Sequence, residues 1–181
     1  MRDNLKVIGV CAALAMLSAC GQDAPVEAPA AAGKPAQAAA LAPGVALKED
    51  AARKPVEANS DKAKCNIEMI GGKSADGTAP EVAKSANVRI EGWYIDTASH
   101  GVGDKLQFVV HNSDQSKFWV ADIPARGDRG DVDQAQGGNG AYAKAGVSFD
   151  VDMSQLPSGW YGVNLDGSAG ACALGRGFKL D

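Results

Sequence analysis

The sequence predicts an all-β fold: an immunoglobulin-like antiparallel β-sandwich of about seven strands, placed after a signal peptide and a disordered linker. Three observations carry that prediction. Apolar and polar residues alternate with period two in short runs from residue 65 onward. Turn-forming clusters such as SHGVGD, NSDQS and PSG separate several of the runs. Glycine is abundant, 22 of 181 residues, and with Asn and Asp it punctuates the second half, which favours turns and strands over long helices.

The strands follow in order. Cys65, Ile67 and Met69 alternate with Asn66, Glu68 and Ile70. In ANVRIEGWYID, Val88 and Ile90 alternate with Arg89 and Glu91, and Gly92 marks a bulge, because a glycine inside a strand pattern often does. Leu106, Phe108 and Val110 share a face, and Phe118 and Val120 oppose Trp119 and Ala121. Val147, Phe149 and Val151 oppose Ser148, Asp150 and Asp152. Tyr161, Val163 and Leu165 oppose Trp160 and Asn164, and the tail offers Leu174, Phe178 and Leu180. One-sided alternation means that each sheet buries one face, so two sheets must pack together. A small closed barrel is the alternative architecture.

Upstream of these strands the composition changes. Residues 21–60 hold 14 Ala, 5 Pro and no aromatic residue. Such a segment cannot bury enough apolar surface to offset its chain entropy, so residues 20–60 read as a tether with about 35 Å of root-mean-square reach, and residues 61–181 as the folded domain. The domain carries 12 basic and 16 acidic groups, and the whole chain has a net charge of -4. That balance argues against a nucleic-acid partner and against electrostatic docking on anionic lipid.

The first residues give an address. Arg2 and Lys6 precede an apolar run from Val7 to Leu17, too short to span a bilayer and suited to a signal peptide over 1–19. The run ends in Leu17-Ser18-Ala19-Cys20, which resembles the lipobox of bacterial lipoproteins. The resemblance implies that Cys20 becomes a lipidated N-terminus, and that its acyl chains hold the chain durably at a membrane. Gly21 and Gln22 follow Cys20, rather than the Asp that retains Gram-negative lipoproteins at the inner membrane, so the implied location is the outer membrane. Cys11 leaves with the signal peptide and Cys20 takes lipid. Cys65 and Cys172 then remain as an even pair in an oxidising compartment, where a disulfide is expected. Its rival, a metal site, lacks nearby ligands: His100 and His111 are the only histidines, and neither lies close in sequence to either Cys.

The most charge-dense stretch, ARGDRGDVDQ, contains two Arg-Gly-Asp tripeptides. An adhesion signal rests on a short and weak pattern. A calcium loop of EF-hand type fails, since positions 5, 6 and 12 counted from Asp131 are Ala135, Gln136 and Tyr142. A looser site on Asp128, Asp131 and Asp133 stays open. So does a solvated turn whose Arg-Asp pairs contribute well under about 1 kcal/mol each. In a structural reading, Arg126 or Arg129 folds back onto carbonyls at the sandwich edge, with Asp131 accepting a guanidinium fork. The stretch 125–146 is long and glycine-rich and reads as a mobile loop, a natural place for a partner surface.

Trp93, Trp119 and Trp160 are the other binding candidates. In each Trp-Tyr pair the two side chains point to opposite faces, so one of the two is expected in the core. If Trp93 and Trp160 share an outward face they form a platform for glycans. No G-x-S-x-G, H-E-x-x-H or P-loop pattern occurs, and no cofactor or metal is read from the sequence. GWYID, RGDV, AGVSFDV and LPSGWYGVNL, in that order, look like β-sandwich accessory segments of some bacterial envelope proteins, a resemblance that implies fold alone. The expected function is a lipid-anchored, non-catalytic cell-envelope module for binding or structural support, partnered by the membrane and by an envelope protein or glycan. A glycan-binding module is the alternative, and an envelope hydrolase the third.

Overall fold

A computed structural model describes residues 44–55 and 61–181, the side chains of Ala173 and Leu174 excepted. The expected signal peptide, Cys20 and the remainder of the expected tether lie outside the described residues, as does the expected packing of Leu174. Seven long strands carry the fold: β3 (Ala63–Ile70), β6 (Val88–Asp96), β7 (Leu106–Asn112), β8 (Phe118–Asp122), β10 (Gly146–Asp152), β11 (Gly159–Gly167) and β12 (Gly170–Leu180). They are the seven segments that the alternation predicts. Five two-residue strands accompany them: β1 (Val45–Ala46), β2 (Lys48–Glu49), β4 (Lys73–Ser74), β5 (Glu81–Val82) and β9 (Arg126–Gly127). A short helix, α1, spans Gly130–Ala135.

The chain is an all-β sandwich of two packed sheets. The first has the order β1-β10-β6-β3-β4, with β9 also on β10, and the second β2-β8-β7-β11-β12-β5. The predicted inward residues of β6, β7, β10 and β11 lie in the core between them. Phe108 of the second sheet meets Phe149 of the first edge-on at 5.7 Å, and Tyr161 stacks on Phe178 at 5.5 Å. Offset and edge-on ring pairs add to the burial of apolar area itself.

In β3 the expected alternation breaks. Ile67 and Ile70 are both fully buried, three residues apart, because the register shifts between Ile67 and Met69 opposite β6. The bulge read from Gly92 is therefore on the partner strand. Gly92 is what lets the two backbones close up, since a Cβ there would lie 2.2 Å from the Asn66 carbonyl oxygen.

Two segments are more ordered than their composition suggests. Residues 44–55 were expected in the tether, yet β1 runs parallel to β10 and β2 antiparallel to β8. Val45 and Leu47 are half-buried against the core. Two aliphatic side chains suffice at an edge where the neighbouring strands supply the hydrogen bonds, a context that composition does not register. Arg53 then reaches Asp166 at 2.7 Å, Gln107 at 2.8 Å and Asp50 at 3.3 Å. The strap thus joins the β10 edge of one sheet to the β8 edge of the other. On the opposite side the Cys65–Cys172 disulfide links β3 to β12, with Cα atoms 6.2 Å apart.

The stretch 125–146, expected as a mobile loop, is the second correction. It forms β9, α1 and a turn that lie on the outer face of the first sheet, where Ile95, Val132, Tyr142 and Ala145 make a small second core with Trp93 and Val102 beside it. Its glycines serve a compact cover, and the apolar residues spaced among them find partners on β6.

Candidate functional site

The two outer faces of the sandwich differ, and the difference starts with two arginines. Arg126 turns inward. Its guanidinium donates to the carbonyls of Val102 at 3.1 Å and Ala145 at 3.0 Å, and to that of Tyr94, while lying 5.8 Å from the Tyr94 ring centroid. Burial lowers its pKa below the ordinary arginine value. Arg129 forks onto Asp131 at 2.8 and 2.7 Å and onto Glu68 at 3.0 and 2.9 Å. Those hydrogen bonds hold the Asp131 carboxyl down at about 2 and raise the Arg129 pKa. This matches the structural reading in part: Arg126 folds back on carbonyls and Asp131 accepts the fork of Arg129, but those carbonyls belong to the central strand β6 and to loops rather than to a sandwich edge.

The acidic residues of the same stretch are also engaged. Asp128 pairs with Lys144 at 2.7 Å. Asp133 is buried and accepts the backbone N–H of Gly140 and of Tyr142, each at 2.9 Å. One carboxylate thereby closes the turn after α1, and the cover has a satisfied polar anchor beneath it. Among the described residues, no group of three or more His, Cys, Asp or Glu is placed to hold a metal ion.

The tryptophans separate by sheet. Trp93 is half-buried against the second core on the first sheet, and Trp119 packs half-buried against the main core with its ring 5.8 Å from Tyr161. Trp160 belongs to the second sheet and is 56% exposed, the one large hydrophobic residue exposed among those described. Trp93 and Trp160 therefore face opposite sides of the sandwich and form no joint platform. Their partners Tyr94 and Tyr161 are buried, as the alternation requires.

Beside Trp160 lies an open cleft of about 310 Å³ on the outer face of the second sheet, bordered by His111, Ser113, Gln115, Asn164 and Arg176. That volume is at the small end of the roughly 300–1,000 Å³ usual for ligand pockets. Its floor depends on a glycine. A Cβ on Gly162 would sit 2.2 Å from Cε1 of His111, so the imidazole of β7 lies directly on the β11 backbone. The His111 Nδ1 atom is 2.9 Å from the Asn112 carbonyl oxygen, and the ring centroid is 5.9 Å from that of Phe118. Arg176 donates to the Ala75 carbonyl at 3.1 Å and to Asp76.

A second hollow of about 520 Å³ lies elsewhere on that sheet, lined by Asp104, Lys105, Gln107, Asp122 and Asp166 among others. Three of its side chains are engaged: Arg53 holds Asp166 and Gln107, and the Gln107 amide donates to Asp122 at 2.9 Å.

Sequence reasoning identified Trp160 but not His111, Gln115, Asn164 or Arg176 as its neighbours. The cleft joins three strands and a hairpin turn, and pairings that distant leave no local pattern. The one available signal was Gly162, a glycine within a strand where a neighbouring group must approach closely. No family model, curated protein or solved structure matches this chain.

Proposed function

We propose that the chain is a lipid-anchored, non-catalytic cell-envelope module that binds through the outer face of its second sheet. The observation that carries the reading is the asymmetry of the two faces. The α1 cover lies over part of one, whereas the other keeps an exposed indole beside a polar cleft. Support for the anchor comes from the lipobox-like Leu17-Ser18-Ala19-Cys20 and the Ala- and Pro-rich residues that follow. The cross-linked Cys65–Cys172 pair fits an oxidising compartment.

The immunoglobulin-like form of the sandwich belongs to the same proposal. It is supported by the long-strand order, β10-β6-β3 against β8-β7-β11-β12. The Tyr161 hydroxyl also donates to the carbonyl of Pro157, four residues upstream, at 2.7 Å. Tyrosine corners of Greek-key sandwiches use the same device.

Fractionation of cells expressing the full-length chain tests the reading. The chain is expected with the outer membrane, and Cys20→Ser is expected to move it to the soluble envelope fraction. Recovery of the unaltered chain from the soluble fraction contradicts the proposal. A second reading, glycan recognition, is favoured by the exposure of Trp160.

A further inference from the structure

The geometry points to the Trp160 cleft as a binding site for an uncharged saccharide: one pyranose ring stacks on the indole while its hydroxyls bond to Ser113, Gln115 and Asn164. This rests on the reading of the chain as an envelope binding module and adds the ligand class.

The first argument is the pairing of surfaces. A single exposed apolar residue is ordinary on a protein surface and needs no explanation by itself. Here the indole adjoins a cleft whose floor at Gly162 is the His111 imidazole, which fills the space a Cβ would take. An indole face is the negative end of a quadrupole, and the axial C–H groups of a pyranose present a weakly positive apolar face to it. Such a ligand needs an aromatic plane and hydroxyl partners side by side, which Trp160 and the rim supply.

Preorganisation is the second argument. Gln115 sits at φ 54°, a left-handed conformation that side chains rarely adopt, in the turn between β7 and β8. That turn is fixed by its own side chains: the Lys117 N–H donates to Asn112 Oδ1 at 2.9 Å, and the Ser116 N–H to Asp114 Oδ1 at 3.0 Å. The Asn112 amide donates to Ser116 Oγ at 2.9 Å. A rim held in place in the free protein loses less freedom on binding.

The third argument selects the chemistry. Among the described residues no Asp or Glu lines the cleft, and glycoside hydrolysis by the usual route needs two carboxyl groups flanking the scissile bond. Arg176, the one Lys or Arg among the described lining residues, already donates to Asp76 and to the Ala75 carbonyl. The cleft is therefore suited to retaining a neutral sugar without cleaving it.

The test uses the purified full-length chain in detergent, titrated by calorimetry with hexasaccharides of β-1,4-linked N-acetylglucosamine and of β-1,4-linked glucose. At least one is expected to bind saturably and to shift tryptophan emission. Trp160→Ala, at an exposed position that does not serve the core, should weaken that binding about tenfold or more. Gln115→Ala should weaken it less, and Trp93→Phe should leave it within about twofold. Circular dichroism matching the parent chain confirms that each variant is folded. Binding by Trp160→Ala equal to the parent overturns the site even if saccharides bind, and binding of neither hexasaccharide overturns it outright. In either case membrane fractionation reports separately on the envelope reading.

Discussion

Tyr94 joins the two sheets. Its hydroxyl donates to the Gly170 carbonyl at 3.0 Å, tying β6 of the first sheet to β12 of the second. Its ring lies under the Arg126 guanidinium and against Gly167, where a Cβ would come within 2.7 Å of the phenol. Burial raises the Tyr94 pKa, and the charge of Asp96 adds to the rise. The arginines nearby illustrate how far a charged tripeptide can be from a recognition signal, since Arg126 and Arg129 direct their forks to carbonyls and carboxylates of the same chain. Asp131 offers a pH test of that arrangement. Its folded pKa of about 2 lies below the ordinary Asp value of about 3.9. A depressed folded value means that its stabilising contribution is complete above the ordinary value and is lost as pH falls through about 2. Asp131→Asn should therefore flatten the loss of stability between pH about 4 and about 2, followed by urea unfolding at each pH. An unchanged acid limb contradicts the fork. At this scale the sequence was legible where types of side chain fix the partner: Arg with Asp131, buried Tyr opposite outward Trp. It was silent on Glu68, which reaches Arg129 from β3, 61 residues away in sequence.

At the scale of elements, the two sides of the sandwich are closed by different means. The β1–β2 strap covers the β10 and β8 edges, and the disulfide closes the β3 and β12 side. Covered edges matter because an open strand edge can pair with another chain. The seven long strands were readable from alternation, since a half-buried strand imposes period two, broken in β3 only where the register shifts opposite β6. The strap was not, because four strand residues among Ala and Pro carry no period, and their stability comes from β10 and β8. Nor was the cover, whose apolar residues Val132, Tyr142 and Ala145 are spread across α1 and the turn after it. The carboxylate of Asp133 is what makes that cover one unit. Asp133→Ala should speed hydrogen exchange at the Gly140 and Tyr142 amides by about tenfold or more, while amides of β7 and β11 keep their protection. Equal exchange in both proteins would show that the cover holds without its anchor.

For the whole molecule, the Cys65–Cys172 cross-link joins the two sheets. A disulfide that closes a loop of 107 residues removes entropy from the unfolded chain, by about 4.7 kcal/mol on the loop-closure treatment, which is an upper figure. Reduction, or paired Cys65→Ala and Cys172→Ala, should lower the urea midpoint with the fold retained in native buffer. No change in midpoint contradicts a load on that cross-link. The body is clamped on both sides, with one face partly covered and the other presenting Trp160; its anchoring at a membrane by the N-terminus is part of the proposal. The compartment underlies the proposed role, and a mass measurement reaches it most directly. Intact and N-terminal peptide masses of the chain isolated from its native envelope should give a polypeptide beginning at Cys20 and carrying diacylglycerol and an amide-linked acyl group. A polypeptide with an unmodified Cys20, or one that begins elsewhere without lipid, would contradict the anchor and with it the envelope function.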